Sequence, residues 1–573
     1  MNKSITPIQR FWKLLKPDIK EVRNIYVYSI FRGLIGLSLP LGIQAIVNLI
    51  QGGKINTSWV VLVVIVVLGI ILTGVLQIFQ LRITENLQQK IFARTAFAFS
   101  YRIPRIKMEA LYKHYAPELM NRFFDIGSVQ KGLSKILVDL SAAVFMVVFS
   151  LVLLSVYHPF FMIFSIVMLI FIYGIFQLTA KKGLATSLVV SKFKYKVVHW
   201  LEELSRTATS FKLSGNTKLP LERTDANVEK YLSSREGHFR ILVQQYSFMI
   251  VFNVFLTAGL LVIGGVLVMN QQMNIGQFIA AEIMILVVMS SVEKMILSIE
   301  SIYDILTSLE KIGLVTDLEL ERQDGIDLET NPEDNGMEVE INNLSFTYPD
   351  ASTKTLNNIS LSINKGEVVL ITGGSGSGKN TLLHVIAGLY KIQEGSMSYN
   401  KLPIGNISLN SIRKQIGDHM TMERLFEGTV LENISLGRDL ATFENVKWAI
   451  ENLGLNDFIK KLPEGYNTMI NTQGKGLSES IVTKLLLARS VANKPKLLFL
   501  ESTFQHLDEK DSKQIIDFIT AKQNGWTVVA VSSNNYLAKL SDKIVVLKAG
   551  EISTTGTYNE LKDSVSFKTD SNA

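Results

Sequence analysis

The residues with the most definite chemistry lie together at Gly373-Gly374-Ser375-Gly376-Ser377-Gly378-Lys379-Asn380-Thr381. The run GEVVLIT precedes them and TLLHVIAGL follows, so a strand, a glycine-rich loop and a helix succeed one another. Such a loop cradles phosphate. Its glycines let backbone amides curl around the anion, and the helix that follows turns the positive end of its dipole toward it. Lys379 is spaced to reach the outer phosphates. The pattern normally continues with Ser or Thr, whose hydroxyl ligates Mg²⁺. Here the residue is Asn380, whose amide oxygen can bind Mg²⁺ but is bulkier and aims differently, and Thr381 comes one place late.

A loop of this kind needs a strand on which to sit. After Gly336 short β-branched runs appear (MEVEINNLSF, GEVVLITG, KLLFLES, TVVAVSS, KIVVLKAG) and alternate with helical stretches. The alternation predicts an α/β domain with a largely parallel sheet over 337–563. Residues 316–336 are acidic, polar and Gly/Pro-containing and read as a linker, and 564–573 read as a tail.

The first half of the 573 residues is different. Hydrophobic residues make up 47% of the chain and charged residues only 19%, which excludes disorder and argues against a wholly soluble protein. Six apolar runs lie at about 25–50, 58–80, 136–156, 159–178, 241–269 and 275–297, each near or above the ~20 residues that span a bilayer as helix. Residues 1–322 carry 33 Lys/Arg against 21 Asp/Glu, whereas 323–573 carry 25 against 30. The net charge of +7 is therefore a basic excess of the apolar half. Ten Lys/Arg fall in 81–135 and 12 in 179–240, while the short loops between hold almost none. That asymmetry predicts cytoplasmic excursions of 50–60 residues, both termini cytoplasmic, and spans two to five continuing as helices beyond the membrane. Phe11, Trp12, Leu14 and Leu15 among Lys13, Lys16 and Lys20 read as an interfacial helix rather than a cleavable signal. Cysteine is absent, which excludes disulfides, thiolate metal sites and a cysteine-protease module. No peptidase domain precedes the first span, so leader cleavage is not expected of the chain. Nucleic acid is not expected as a partner either, because the basic residues follow membrane topology and no basic–aromatic platform is present.

Six spans, two long basic excursions and a C-terminal phosphate loop resemble a half-size ABC exporter over essentially the whole chain, of the type I secretion and peptide-secretion kind. ELMNRF at 118–123 resembles the first coupling segment of that family and LEELSRTATSFKLSG at 201–215 the second. The resemblance implies an all-α six-helix transmembrane domain over 1–315, followed by an α/β nucleotide-binding domain. It also implies an inner-membrane location, a homodimer or a heterodimer with another ABC subunit, ATP between two nucleotide domains, and a periplasmic adaptor as a further partner.

The family's motifs carry over position by position. Its adenine-stacking aromatic matches Tyr348 in LSFTYPD, and FEGTVLENI at 426–434 matches the stretch after its glutamine loop, which puts Thr421 at the glutamine. Its LSGGQ signature aligns with Leu477-Ser478-Glu479-Ser480-Ile481. Both glycines are gone, and Glu479 brings a carboxylate toward a polyanion. Counting from Leu477, and back from Asp508 at the dimer-contact position, Glu501 replaces the Mg²⁺-positioning aspartate and Ser502 the glutamate that polarises water. Ser533 stands where the family has a histidine. Asn380 and Glu501 are the Mg²⁺ candidates. His506 reads as a polar surface residue and His384 as a satisfied helix position.

Loss of a positioned base costs about 10²–10⁴ in rate, and serine is no base at neutral pH. An intact partner subunit would repair neither composite site, because one would still lack base and histidine and the other would still use LSESI. The expectation is a membrane subunit that still takes ATP but hydrolyses it poorly or not at all, with a structural or regulatory role in a secretion complex. The second reading is a working exporter of peptides, proteins or lipids. In the membrane half, Arg32, Glu282 and Glu293 are costly charges, and a pairing of Arg32 with Glu282 is one expectation for them.

Overall fold

The computed structural model describes residues 5–52, 57–328 and 335–563. The tail at 564–573 and part of the linker stretch lie outside the described residues. The chain divides into two compact units, one formed by 1–105 and 114–318, the other by 106–113 and 319–573.

The first unit is helical. Six helical segments among the described residues are long and apolar enough to cross a membrane: Pro7–Gln51, Thr57–Arg105, Ala116–Tyr157, Pro159–Arg206, Leu219–Met269 and Ile275–Thr316. Within them run α1 (Pro7–Leu15), α2 (Ile19–Gly36), α3 (Ser38–Gln51), α4 (Thr57–Arg102), α5 (Ser141–Tyr157), α6 (Pro159–Arg206), α7 (Leu219–Gly259) and α8 (Ile275–Thr316). The first span is not one helix. It breaks between Gly36 and Ser38 because Pro40 has no N–H to offer the Gly36 carbonyl and its ring crowds that oxygen. α4 has 46 residues and α6 has 48. At 1.5 Å per residue these are about 70 Å long, more than twice the ~30 Å hydrocarbon core, so much of each extends past the apolar stretch. α1 is amphipathic, with Leu15 buried and Trp12 exposed. Its Arg10 pairs with Glu310 and Asp317 at the far end of α8.

Polar side chains inside this unit satisfy one another. Gln80 donates to Ser29 Oγ (2.7 Å) and to the Ile25 carbonyl (3.0 Å), and the Ser29 and Ser141 hydroxyls lie 2.6 Å apart. Arg32 does not pair with Glu282. Its guanidinium donates to Gln77 (2.9 Å) and Gln80 (3.5 Å) and lines a polar cavity with Asp139, Ser290, Ser291 and Lys294. Glu282 and Glu293 lie on exposed positions of α8 and make no ion pair among the described residues. The reason is rotational: both face outward on α8, away from the buried stripe of Ala281, Met284, Ile285 and Val288.

The second unit is an α/β structure with three sheets among the described residues, one of them the short antiparallel pair of Gly428–Thr429 with Met469–Ile470. Its strands are β1 (Val339–Phe346), β2 (Leu356–Ile363), β3 (Val368–Gly373), β4 (Glu394–Tyr399), β5 (Leu402–Pro403), β6 (Ile416–His419), β7 (Gly428–Thr429), β8 (Met469–Ile470), β9 (Leu497–Glu501), β10 (Thr527–Val531), β11 (Lys543–Lys548) and β12 (Glu551–Gly556). A four-stranded antiparallel sheet has the order β2-β1-β4-β5, and a six-stranded sheet the order β12-β11-β3-β10-β9-β6. In the latter all neighbours are parallel except the edge strand β12. β9 and β10 are buried throughout, as expected of parallel strands covered on both faces. Over them pack α9 (Lys379–Ile386), α10 (Glu479–Val491) and α11 (Glu509–Thr520). The stretch read as a linker is partly integral to this unit: Glu321 pairs with Arg413, and Leu328 is buried in the core.

β6 lies so close to α10 that a Cβ on Gly417 would sit 2.1 Å from the Ser490 carbonyl oxygen. Gly417→Val should therefore lower the stability of the chain by about 1–3 kcal/mol, read as a fall in calorimetric melting temperature.

Candidate functional site

The parallel ladder places the chemistry. β3 ends at Gly373, β9 at Glu501 and β10 at Val531, and Val531 is in register with both Ile371 and Glu501. The phosphate loop, Glu501 and the segment leading to Ser533 thus emerge from the same edge of one sheet, where ligands bind in open α/β folds.

The loop has the backbone that its glycines permit. Gly373, Gly376 and Gly378 take φ of +144°, +75° and +95°, and a Cβ on Gly373 would lie 2.2 Å from the Leu547 carbonyl oxygen. Gly374, Ser375 and Gly376 are exposed and Ser377 is buried. Lys379 opens α9 and folds back over the loop, with Nζ donating to the Gly373 carbonyl (2.9 Å), the Gly374 carbonyl (2.6 Å) and, at 3.4 Å, Ser377 Oγ. Burial pushes the Lys379 ammonium below its ordinary value. A phosphate would supply the anionic partner that these carbonyls only approximate, so the residues fit an ATP polyphosphate. Asn380 is exposed. Thr381 is buried, and its hydroxyl lies 3.1 Å from the Tyr348 hydroxyl.

Tyr348 has a neighbour that the sequence did not reveal. Tyr112, from the 106–113 segment of the same unit, stacks on its ring at 5.3 Å and 21°. Lys113 pairs with Asp350 (2.8 Å) and Glu109 accepts the Lys391 N–H (2.7 Å), so this short segment is anchored on both sides of the tyrosine. Glu118–Phe123, the stretch likened to a coupling segment, belongs to the first unit, as does 201–215.

The acidic position is occupied in an unexpected way. Glu501 is 1% exposed. Its Oε2 accepts the Thr421 N–H (3.1 Å) and lies 3.4 Å from His384 Nε2, while Oε1 is buried without a partner. Burial by itself raises the Glu501 carboxyl, but the bonds from His384 and Thr421 outweigh it and hold the carboxyl below the usual carboxylate range. His384, assigned from sequence as a merely satisfied helix residue, is thus the partner of the motif's only carboxylate. The sequence shows a histidine five residues past Lys379, but only the order of the sheet brings it to Glu501. For Mg²⁺ the donor set is mixed: Glu501 Oε2 is held by Thr421 and His384 while Oε1 is buried without a partner, and Asn380 offers an amide oxygen in place of a hydroxyl.

Ser502 adopts φ +51° and donates its N–H to the Val531 carbonyl (3.0 Å). His419 bonds to the Thr503 hydroxyl (3.0 Å), and burial pushes its imidazole down to about 4, so it is neutral at physiological pH. Burial, reinforced by Asp418, drives the Glu423 carboxyl upward and leaves it protonated. Ser533 is half-buried just past β10.

The signature-like residues form the start of α10. Ser478 caps it, accepting the Ile481 N–H (3.4 Å), and Leu477 and Ile481 pack on the core. Glu479 is exposed in the first turn, where a carboxylate complements the helix dipole and repels an incoming phosphate. Ser480 is half-exposed beside it. Asp508 caps α11 by accepting the Asp511 N–H (2.7 Å). No hydrogen bond among the described residues joins either segment to the phosphate loop.

A sheet with a phosphate loop at its edge, preceded by six membrane-length helices, defines a membrane-anchored nucleotide-binding protein. The chain belongs to the ABC transporters: residues 23–292 match the ABC transporter transmembrane region and residues 356–505 the ABC transporter domain. It is 31% identical over 299 residues to the alpha-hemolysin translocation ATP-binding protein HlyB of Escherichia coli, which covers 52% of this chain and 42% of that protein. To the leukotoxin translocation ATP-binding protein LktB of Mannheimia glucosida it is 32% identical over 301 residues, with the same coverage. The matched region is thus less than half the length of these relatives. The structure of a bacterial Atm1-family ABC exporter with ATP bound superposes with a TM-score of 0.81 over 96% of this chain and 97% of that one, at 17% identity, which shows the shared fold. The chain is a multi-pass membrane protein of ABC exporter fold, homologous to type I secretion ATP-binding proteins.

His384→Ala should leave the Thr421 N–H as the remaining partner of the buried Glu501 carboxyl, and losing one hydrogen bond to a charged group costs about 1.5–3 kcal/mol. The pH dependence has a definite sign. A carboxyl held below its ordinary value contributes stability at neutral pH that is lost as pH falls through the lowered value. In His384→Ala burial is left less opposed and the carboxyl rises, so this acid-dependent loss should shrink or reverse, and melting temperature should fall less on acidification than in the unaltered chain.

Proposed function

We propose that this chain is a pseudo-ATPase: an ABC-exporter subunit that takes ATP at the Lys379 loop but hydrolyses it poorly or not at all, and serves a structural or regulatory role in a secretion complex. The observation that carries this reading is the buried Glu501, tied to His384 and to the Thr421 N–H and followed by Ser502. Hydrolysis needs a carboxylate on the metal and a base on the attacking water. Here one carboxylate has turned inward and the other is a hydroxyl. Glu479 at the head of α10 disfavours the opposing phosphate contact that the family uses.

When bound, ATP would supply a polyphosphate that cross-links nucleotide domains. Lys379 and the loop amides would hold the phosphates, and Tyr348 would meet the base. The relatives' names refer to translocation of alpha-hemolysin and leukotoxin. With the basic excursions at 81–135 and 179–240 on the cytoplasmic side, they support an inner-membrane subunit with cytoplasmic termini, paired with itself or with another ABC subunit and working beside a periplasmic adaptor. The intact loop favours a second reading, an active exporter of peptides, proteins or lipids with unusual catalytic residues.

Mg-ATPase activity of the chain in nanodiscs, measured beside Lys379→Ala, separates the two. The pseudo-ATPase should show no difference between them, and turnover on the order of 1 per second that vanishes in Lys379→Ala would establish the active exporter. A second measurement concerns Tyr348. Base–aromatic stacking is worth about 1–3 kcal/mol, and Tyr112 already covers one face of the ring. Tyr112→Ala should therefore bind a fluorescent ATP analogue several-fold more tightly than the unaltered chain.

A further inference from the structure

Outside the nucleotide unit, the first unit gathers three metal-ligating side chains at one point. Glu118 lies in the short helix Ala116–Met120, and His199 and Glu202 lie three residues apart near the end of α6, on one face of that helix. One ligand atom from each comes within 4.8 Å of the other two, and the His199 Nδ1 to Glu118 Oε2 distance is 3.1 Å.

The neighbours orient these groups. Arg122 donates to Glu118 Oε1 (3.2 Å), which leaves Oε2 turned to His199. Asn121 donates to Glu202 Oε1, while Glu202 Oε2 is buried with no hydrogen-bond partner. Each carboxylate therefore has one oxygen held by a residue of the turn Asn121–Phe124, which leaves Glu118 Oε2 beside the imidazole and Glu202 Oε2 unpartnered, and such outer neighbours are how proteins fix metal ligands. A buried carboxylate oxygen without a partner is costly unless something positive meets it. The His199 side chain is 49% exposed, which gives a route for an ion from solvent.

We propose that Glu118, His199 and Glu202 bind a first-row transition-metal dication. One imidazole and two carboxylates suit zinc, manganese, iron or cobalt, whereas magnesium and calcium select all-oxygen sets. The ion clamps the excursion after α4 to the excursion that ends α6, and so locks together two segments of the first unit that are 81 residues apart in sequence at Asn121 and Glu202. The site is independent of the nucleotide reading, since none of its residues belongs to the second unit.

Cobalt(II) titration of the full chain in nanodiscs, purified without a polyhistidine tag, tests this by visible absorption. The expected result is one cobalt per chain with a d–d band, displaced by zinc. His199→Ala and Glu202→Gln, each checked for an unchanged melting temperature without metal, should abolish the band and weaken binding by roughly 10-fold or more. If His199→Ala fails to fold, Glu202→Gln decides alone. Absence of stoichiometric cobalt, or equal binding by the unaltered chain and Glu202→Gln, overturns the proposal. In that case the cluster is an ion pair of His199 with Glu118.

Discussion

A carboxylate cannot stay ionised in a dry core without partners, and in the second unit that constraint falls on Glu501. The parallel ladder of β3, β10 and β9 brings the end of β9 beside the phosphate loop, so whatever follows Leu500 must meet both the loop's helix and the segment after β6. An aspartate there could remain short and hydrated at the mouth of the site. The longer glutamate reaches inward to His384 and the Thr421 N–H, and 1% exposure leaves it no water in exchange. The pair joins α9 to β9. That connection is structural, and it holds one oxygen of the carboxylate between α9 and the segment after β6.

The neighbouring residues are engaged as well. Ser502 gives its N–H to β10, the Thr381 and Tyr348 hydroxyls share a hydrogen bond, and the Glu479 charge meets the dipole of α10. Each of these residues makes a local contact within the fold. What survives is the phosphate cradle itself, since the left-handed glycines and Lys379 still hold the form of an anion site.

The membrane unit answers a different constraint. Lipid offers no hydrogen bonds, so every backbone group must be paired inside a helix, and polar side chains must pair with each other. Ser29, Ser141, Gln80, Arg32 and Gln77 form such a connected set, as do Thr179, Gln245 and Tyr303. Helices of 46 and 48 residues then project far beyond the hydrocarbon, where basic residues become affordable and where Glu118, His199 and Glu202 converge.

Sequence alone was enough for the six apolar spans, their long extensions, the α/β half and the phosphate loop, because each rests on local composition and on periods of a few residues. Counting along motifs assigned roles to Glu501, Ser502 and Ser533, which the structure places at and just past the ends of β9 and β10. It did not show that His384 pairs with Glu501, since those residues are 117 apart and meet only through the order of the sheet. It did not place Tyr112 on Tyr348, or turn Arg32 toward Gln77 rather than Glu282. It also could not separate 106–113 from 118–123, two nearby stretches that belong to different units. Local pattern decides which elements form. Which side chains touch depends on helix rotation, strand register and crossing connections, and those are fixed only when the chain has closed on itself.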